Sequence, residues 1–463
     1  MKSIQRKARV KEILFPERAF WKQVARFGTS IALQNLTVAL FGMIDVSIIS
    51  DMGENAVSAV SLANQVFYVA SLITFGITSG ASVILSRHYG AGDEKEFKKA
   101  FTVMCFLCTV VNAVIMAASF GIPRLLLAMY TDDPVLIAEG AIYLIITAPM
   151  NLCYGISNSM ASFFRSVNRP SAPLVVSLVT VALKTGLNMV FIYGFGIIPA
   201  MGVAGAAVAT LLCKVAELVL YLGFYAAFRE KQYCFRGGDF AYIRRNSVGG
   251  FLRETLPVIL NESLWGIGLS SFNMVFGRMG VVAVSAMSIA QQMEKLGNAC
   301  FYGVSIGACV TISGMLGRKE VEKARLTAKR YAAVGVEVGI LIMLLMLGFN
   351  HLCVTSFFGE LTEETRRTAE WLIVIYAVYM PFRSFASCMI MGAMRAGGDS
   401  KRAMYYDVLP VWLWSLPIGF LLGVWLKLPI VVVLAAMQFK RVIKSGFALR
   451  RLISGKWLQI GQE

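Results

Sequence analysis

The chain has 463 residues, of which 57% are hydrophobic and only 15% are charged, well below the roughly 25% charged residues of soluble domains. A soluble globule of this size cannot bury so much apolar surface, so the composition excludes a soluble enzyme or binding protein. The net charge of +17 invites a nucleic-acid interpretation, which the distribution of the basic residues argues against.

Apolar runs of about 20 residues, the length that crosses a bilayer as a helix, follow one another along the chain. We therefore predict an all-α polytopic membrane protein with twelve transmembrane helices. In chain order the predicted helices cover residues 25–50, 56–86, 98–122, 134–158, 170–194, 202–227, 252–277, 283–315, 328–350, 368–392, 403–426 and 429–449.

Most Lys and Arg residues fall in the N-terminus, the even-numbered connections and the C-terminus. Short basic loops stay in the cytoplasm, so we expect a multi-pass protein of the plasma (inner) membrane with both termini cytoplasmic. The basic surplus then faces membrane lipids, whose headgroups are often anionic, and we expect no nucleic-acid partner.

The second half of the chain repeats the first. AVSAVSLANQV at residues 56–66 returns as AVSAMSIAQQM at 283–293, and GITSGASVILS at 76–86 returns as GVSIGACVTIS at 303–313. Both matches have the same offset of 227 residues, so each half holds six helices and starts on the same side of the membrane. Parallel repeats of this kind are typical of transporters with a central site.

These spacings predict the domain organisation. A basic cytoplasmic arm covers residues 1–24, an N-terminal six-helix lobe 25–227 and a cytoplasmic linker 228–251. A C-terminal six-helix lobe covers 252–449, and a cytoplasmic tail follows over 450–463.

Small residues recur within the repeat. Gly76 and Gly80 form a GxxxG motif, and so do Gly303 and Gly307. Because glycine lets helix backbones approach closely where packing replaces the hydrophobic effect, we predict that all four pack helices together.

Nine cysteines lie almost entirely within predicted helices, and the two histidines lie near helix ends. The CxxC at Cys105 and Cys108 has no second pair or histidine nearby, which favours small core residues over metal ligands. We expect no metal, no cofactor and no catalytic residues.

Several stretches of the chain resemble the multidrug and toxic compound extrusion (MATE) family. MIDVSIISDMGENAVSAVSLANQV is similar to the family's passage from helix 1 to helix 2, and SGASVILSRHYGAGD to its helix 2 exit. NMVFIYGFGIIPAMGVAGAAVAT, MRAGGDSK and SGKWL resemble its helix 5–6 hairpin, helix 10 exit and C-terminal ending. The landmarks occur in order over most of the chain.

The resemblance implies a V-shaped bilobal architecture of two parallel six-helix repeats. It also implies a multidrug efflux antiporter that exports small organic cations or amphiphiles in exchange for protons or sodium, by alternating access. We expect the protein to act as a monomer.

Asp45 is the strongest candidate for a functional residue in the first half of the chain. It lies in the apolar stretch ALFGMIDVSII, where an ionised carboxylate costs roughly 2.5–3.5 kcal/mol. A carboxyl group balanced between desolvation and a nearby cation can exchange a proton for a cationic ligand, and the resemblance implies the family's coupling acid at this position. A structural salt bridge is the alternative.

Helix 5 departs from the family pattern. The family presents Asn followed four residues later by Asp or Asn, whereas this chain has Lys184 and Asn188. Lys184 could pair with Asp45 and occupy the place of a sodium ion, so we expect coupling to protons rather than sodium. The alternative is that Lys184 extends toward the membrane surface.

The second half does not repeat Asp45, because the offset places Phe272 at the equivalent position. Helix 7 instead carries Glu262, a candidate second cation site or gate, with a structural role equally open. Gln65 and Gln292 need polar partners in lipid and are predicted to line the cleft between the lobes. Arg383 is a further cavity or gate candidate.

Two rival functions follow from the same features. A lipid-linked oligosaccharide flippase of the same broad superfamily would need several Arg or Lys to converge on its cavity, and the tally of intramembrane charges does not decide this. An intramembrane enzyme would need a His, Ser or Asp constellation, and none is evident in the sequence.

Overall fold

The chain folds into long helices, most of which are joined by short connections. The computed structural model describes residues 17–50, 54–131, 133–195, 199–235, 237–357 and 362–459, with side chains throughout except at 39–50, 54–57, 270, 281, 353 and 355–357. The first-half helices are α1 (Arg18–Ser50), α2 (Glu54–Ala91), α3 (Glu94–Gly121), α4 (Pro134–Thr147 and Met150–Ser166), α5 (Ser171–Tyr193) and α6 (Gly202–Ala226). The second-half helices are α7 (Arg245–Gly277), α8 (Val281–Gly317), α9 (Val321–Phe357), α10 (Glu363–Val378 and Met380–Met394), α11 (Ser400–Trp425) and α12 (Ile430–Gln438 and Lys440–Ser454).

Most of these helices are membrane spans by length and composition. Within the described residues, seven helices are long and apolar enough to cross a bilayer, and the two bent helices α4 and α10 pass the same test if each counts as one span. The second piece of α12 is different, because Lys440, Arg441 and Lys444 interrupt its apolar character. All three of these cationic side chains are buried in the folded protein.

The bends in α4 and α10 coincide with prolines. The two pieces of α4 meet at 51° next to Pro149, and those of α10 meet at 44° next to Pro381. Proline lacks an amide N–H and its ring collides with the preceding turn, so it interrupts the helix. In α10 the bend is followed by a π-helical stretch, Cys388–Met394, a distortion often found at functional sites.

The helices divide into two compact units, Leu33–Ile259 and Met1–Ala32 with Leu260–Glu463. These units differ from the predicted lobes at two helices. The first half of α1 packs with the C-terminal residues, and the first half of α7 packs with the N-terminal residues. In the second unit, Gln23 on α1 donates a hydrogen bond to Thr311 on α8 at 2.8 Å.

The four glycines of the repeat lie at close helix crossings. A Cβ on Gly76 would stand 2.7 Å from the Ile259 backbone on α7, whereas one on Gly303 would stand 2.7 Å from the Gly28 carbonyl oxygen on α1. Gly80 and Gly307 extend the same two crossings at 3.0 Å and 2.8 Å. The repeated motif thus builds one equivalent crossing in each unit.

The C-terminal segment closes the connection between α10 and α11. The Gln459 amide donates to the Gly397 carbonyl at 2.8 Å, and Trp457 is almost fully buried. Arg451 Nε donates to Asp399 Oδ2 at 2.6 Å. The SGKWL and GGDSK stretches, far apart in sequence, therefore form one packed element.

Replacing Gly303 with Ala should destabilise the protein by roughly 1–3 kcal/mol, because the new methyl group meets backbone that cannot move aside. The measurement is the midpoint of thermal unfolding in detergent. Gly348→Ala on α9 is the matched control, since nothing lies within 4 Å of its added Cβ, and it should leave the midpoint unchanged or raise it. Equal midpoints for both variants would contradict the close crossing.

Candidate functional site

Charged side chains from five helices meet inside the unit that contains Leu260–Glu463. They are far more buried than charged residues usually are, which requires that they compensate one another. The members of this cluster are Glu262 on α7, Glu294 on α8, Arg383 on α10, Arg395 at the C-terminal cap of α10, Asp407 on α11, and Lys440, Arg441 and Lys444 on α12.

Glu294 holds two arginines at once. Its Oε1 accepts from Arg383 Nη1 and from Arg441 Nη2, each at 2.5 Å. The carboxylate thereby links α8 to α10 and α12. Hydrogen bonds between a guanidinium and a carboxylate are charge-assisted and are among the stronger hydrogen bonds in proteins.

Two further pairs flank Glu294. Arg395 donates to Glu262 at 2.7 Å, and the exposed fractions of the two side chains are only 2% and 10%. Lys444 donates to Asp407 at 2.6 Å, and Asn261 Nδ2 donates to the other oxygen of the same carboxylate at 3.1 Å.

Lys440 and Arg441 are less fully compensated than the other bases. Among the described side chains no carboxylate forms an ion pair with Lys440, whose ammonium lies 3.9 Å from the centre of the Phe272 ring. Arg441 stacks on Tyr376, and its Nε and Nη1 are buried with no acceptor in the described part of the chain.

A cavity of about 80 Å³ opens onto this cluster. The charged residues that line it are four bases and two acids, and its aromatic lining comes from Trp265 and Phe301. The bases are Arg383, Lys440, Arg441 and Lys444, and the acids are Glu262 and Asp407. The arrangement can receive a small polar group and hold it by charge-assisted hydrogen bonds.

The unit Leu33–Ile259 contains a second, larger cavity of about 380 Å³. Lys184 on α5 lines it, together with Arg165 on α4 and Lys214 and Glu217 on α6. Lys214 and Glu217 form an ion pair at 2.6 Å, the local pair that their spacing of three residues permits. The described charges of this cavity are therefore also predominantly basic.

The coupling residues predicted in the first half are only partly visible. Lys184 is half-buried at the cavity wall, and Asn188 is fully buried one turn further along α5. The side chain of Asp45 lies outside the described residues, although its backbone belongs to α1. The Asp45–Lys184 pair therefore stays a prediction.

The second-half candidates fall into two groups. Glu262 and Arg383 lie together at the cavity, each in a buried ion pair with another residue. Gln65 and Gln292 are exposed within their own units, and neither belongs to the two cavities described above.

The sequence did not single out Arg395, Asp407 or the three bases of α12. The α12 bases look like topology signals at a cytoplasmic helix end, because Lys and Arg in that position usually face the cytoplasm. The spacing of the α12 bases is the feature that could have indicated their buried position. Lys440 and Lys444 are one turn apart and therefore share one helix face, which here faces the interior.

The MatE family model matches the chain twice, over residues 30–193 and 257–421. The chain belongs to the MATE family. The two matches start 227 residues apart, the same offset that relates the two halves of the sequence, so the family assignment and the internal duplication agree. The MATE resemblance stated from the motifs is confirmed.

Relatives and solved structures of MATE transporters match nearly the full length. A probable multidrug resistance protein NorM of Thermotoga maritima is 24% identical over 450 residues, covering 94% of this chain and 93% of that protein. A multidrug resistance protein MdtK of Photorhabdus laumondii is 22% identical, with 87% of each chain covered.

A crystal structure of the Vibrio cholerae MATE transporter VcmN superimposes with a TM-score of 0.85 at 18% identity, covering 94% of this chain and 97% of that one. The predicted fold class, a twelve-helix membrane protein built from two six-helix repeats, is thus confirmed.

Replacing Glu262 with Gln should destabilise the MATE fold by roughly 3–5 kcal/mol, because the buried Arg395 guanidinium loses its counter-charge. Unfolding by heat and by denaturant in detergent measures the effect. Glu337→Gln is the control, since Glu337 is exposed on α9, and it should change stability by less than about 0.5 kcal/mol. A Glu262 variant as stable as this control would show that the Glu262–Arg395 ion pair does not stabilise the fold.

Proposed function

We propose that this MATE protein is a secondary active antiporter that exports small amphiphilic organic compounds, organic cations among them, in exchange for protons. The observation that carries the proposal is the duplicated family match, combined with a charged cavity in each compact unit. Charged residues inside membrane segments are expensive and mark substrate or ion pathways.

Alternating access suits this construction. Two equivalent repeats give a scaffold in which one bundle moves against another around a fixed site. The relatives named as multidrug resistance proteins support export of amphiphilic organic compounds as the task.

Proton coupling is supported by the charges that line the cavity of the unit Leu33–Ile259. Lys184, Lys214 and Arg165 line it, against the single described carboxylate of Glu217. A sodium ion needs several oxygen ligands and is repelled by three nearby cations. A carboxyl group that releases its proton beside these cations needs no metal ligands, and Asp45 is our candidate for that group.

The setting of the transporter follows from the charge distribution along the chain. We assign it to the inner (plasma) membrane with both termini in the cytoplasm, since the basic connections belong on that side. One chain carries both repeats, so the monomer is the transporting unit.

Proteoliposomes that export a fluorescent organic cation test the proposal. A proton gradient should drive export by the wild type, and a sodium gradient alone should not. Asp45→Asn should slow proton-driven export at least about tenfold, equivalent to roughly 1.4 kcal/mol, because the coupling proton has no carboxyl group to bind. Lys184→Ala should also lower the rate.

Lys295→Ala serves as the control for these variants, because Lys295 is an exposed base on α8 outside both cavities. It should export at the wild-type rate. Full proton-driven export by Asp45→Asn would remove Asp45 from the mechanism, and export driven only by sodium would overturn proton coupling.

A further inference from the structure

The buried charged cluster lies in the unit that contains Leu260–Glu463, here called the C-terminal unit. The cluster has more basic than acidic side chains. Five cations (Arg383, Arg395, Lys440, Arg441 and Lys444) face three carboxylates (Glu262, Glu294 and Asp407) among the described side chains. If all are ionised, the cluster carries a formal charge of +2. Such a surplus is costly away from water unless further negative charge is supplied.

The surplus is concentrated on two neighbouring residues of α12. Arg395 and Lys444 engage Glu262 and Asp407. Glu294 is shared between Arg383 and Arg441, whereas Lys440 faces an aromatic ring instead of an acid. The exposed fractions of Lys440 and Arg441 are 7% and 3%. These two residues are therefore where negative charge is missing.

Arg441 shows independently that an acceptor is missing. One of its nitrogens donates to Glu294, but Nε and Nη1 are buried with no acceptor among the described atoms. Each of the two guanidinium edges, Nε–Nη2 and Nη1–Nη2, therefore has one open donor beside the Nη2 that Glu294 holds. Each open donor can form a charge-assisted hydrogen bond to an oxygen of a carboxylate or phosphate. The ammonium of Lys440 adds a second positive group on the same turn of α12.

The cavity beside these residues has room for such a group. Its volume of about 80 Å³ is several times the roughly 10–15 Å³ that one buried water requires. Trp265 and Phe301 line the same cavity, so apolar surface lies next to the charged wall. This combination suits the acidic end of an amphiphile.

We infer that Lys440 and Arg441, supported by Arg383 and Lys444, form an anion-binding site that receives the carboxylate or phosphate of a transported amphiphile. The inference rests on the proposed transport function and adds a second class of substrate, acidic or zwitterionic compounds, to the organic cations. Lys440 and Arg441 bind the acidic group, and Glu294 positions Arg441.

The sequence repeat reinforces this assignment. Phe272 occupies the position equivalent to Asp45 at the offset of 227 residues, and Phe272 is the ring that lies under Lys440. A position that carries an acid in the first half therefore supports a cation in the second half. The charge preference differs between the two halves although the helical scaffold is shared.

Equilibrium binding to the purified full-length protein in detergent tests the site. Fluorescein and rhodamine 123 share a xanthene ring system but are anionic and cationic, so they form a matched pair of probes. Lys440→Met should weaken fluorescein binding by roughly tenfold or more, the loss expected when a charge-assisted hydrogen bond disappears. Binding of rhodamine 123 should not weaken.

Two variants serve as controls. Lys440→Arg keeps the positive charge and should bind fluorescein within a few-fold of the wild type, while Lys295→Met removes an exposed base from α8 and should bind as the wild type does. Lys440→Met should unfold at the wild-type temperature or above, because it removes a buried charge without a carboxylate partner. Weakened binding then reports the site and not misfolding.

The source of the acidic group is decided by competition in nanodiscs. Inorganic phosphate that displaces fluorescein identifies a soluble anion as sufficient, whereas phosphatidylglycerol that displaces it, compared with phosphatidylcholine alone, identifies a lipid headgroup. Either result supports the site. Displacement by neither anion would overturn it, as would wild-type protein that does not bind fluorescein or Lys440→Met that binds it with undiminished affinity.

The transport assay keeps this inference separable from the proposed function. Export of the organic cation by a protein that fails to bind fluorescein refutes the anion site and leaves the antiporter standing. Fluorescein binding that depends on Lys440, in a protein that exports nothing, supports the site and refutes the antiporter.

Discussion

The charged interior of the C-terminal unit depends on the ion pairs that the Glu294 carboxylate forms. The carboxylate accepts from Arg383 on α10 and from Arg441 on α12, so one acid from α8 compensates two bases on two other helices. Without it, two guanidinium groups would lie in an apolar bundle without that counter-charge, which is strongly unfavourable. The same compensation leaves Lys440 and part of Arg441 available to a ligand.

The duplicated scaffold and the charges within it follow different rules. Helix packing is repeated: the GxxxG glycines of α2 and α8 meet α7 and α1 at corresponding crossings, because close approach requires only the absence of a side chain. Charge is not repeated, since a site must match its ligand. The first half carries Asp45 and Lys184, whereas in the second half the position equivalent to Asp45 is Phe272, whose ring lies against Lys440.

The fold could be predicted from the sequence because helix length, small residues and the repeat offset are local patterns with direct physical causes. The charged cluster could be predicted only in part. Glu262 and Arg383 were recognised as charges inside apolar helices, but their partners Arg395 and Glu294 lie 133 and 89 residues away. Lys440, Arg441 and Lys444 resembled cytoplasmic topology signals until the fold showed which way their helix faces.

A double-mutant cycle between Glu294 and Arg441 tests the central ion pair most directly. Unfolding free energies in detergent are compared for the wild type, Glu294→Gln, Arg441→Met and the double variant. A favourable coupling of at least about 1.5 kcal/mol is expected for two charges in direct buried contact. A coupling within roughly 0.5 kcal/mol of zero, the additivity of independent sites, would show that Glu294 does not hold Arg441 and would contradict the account.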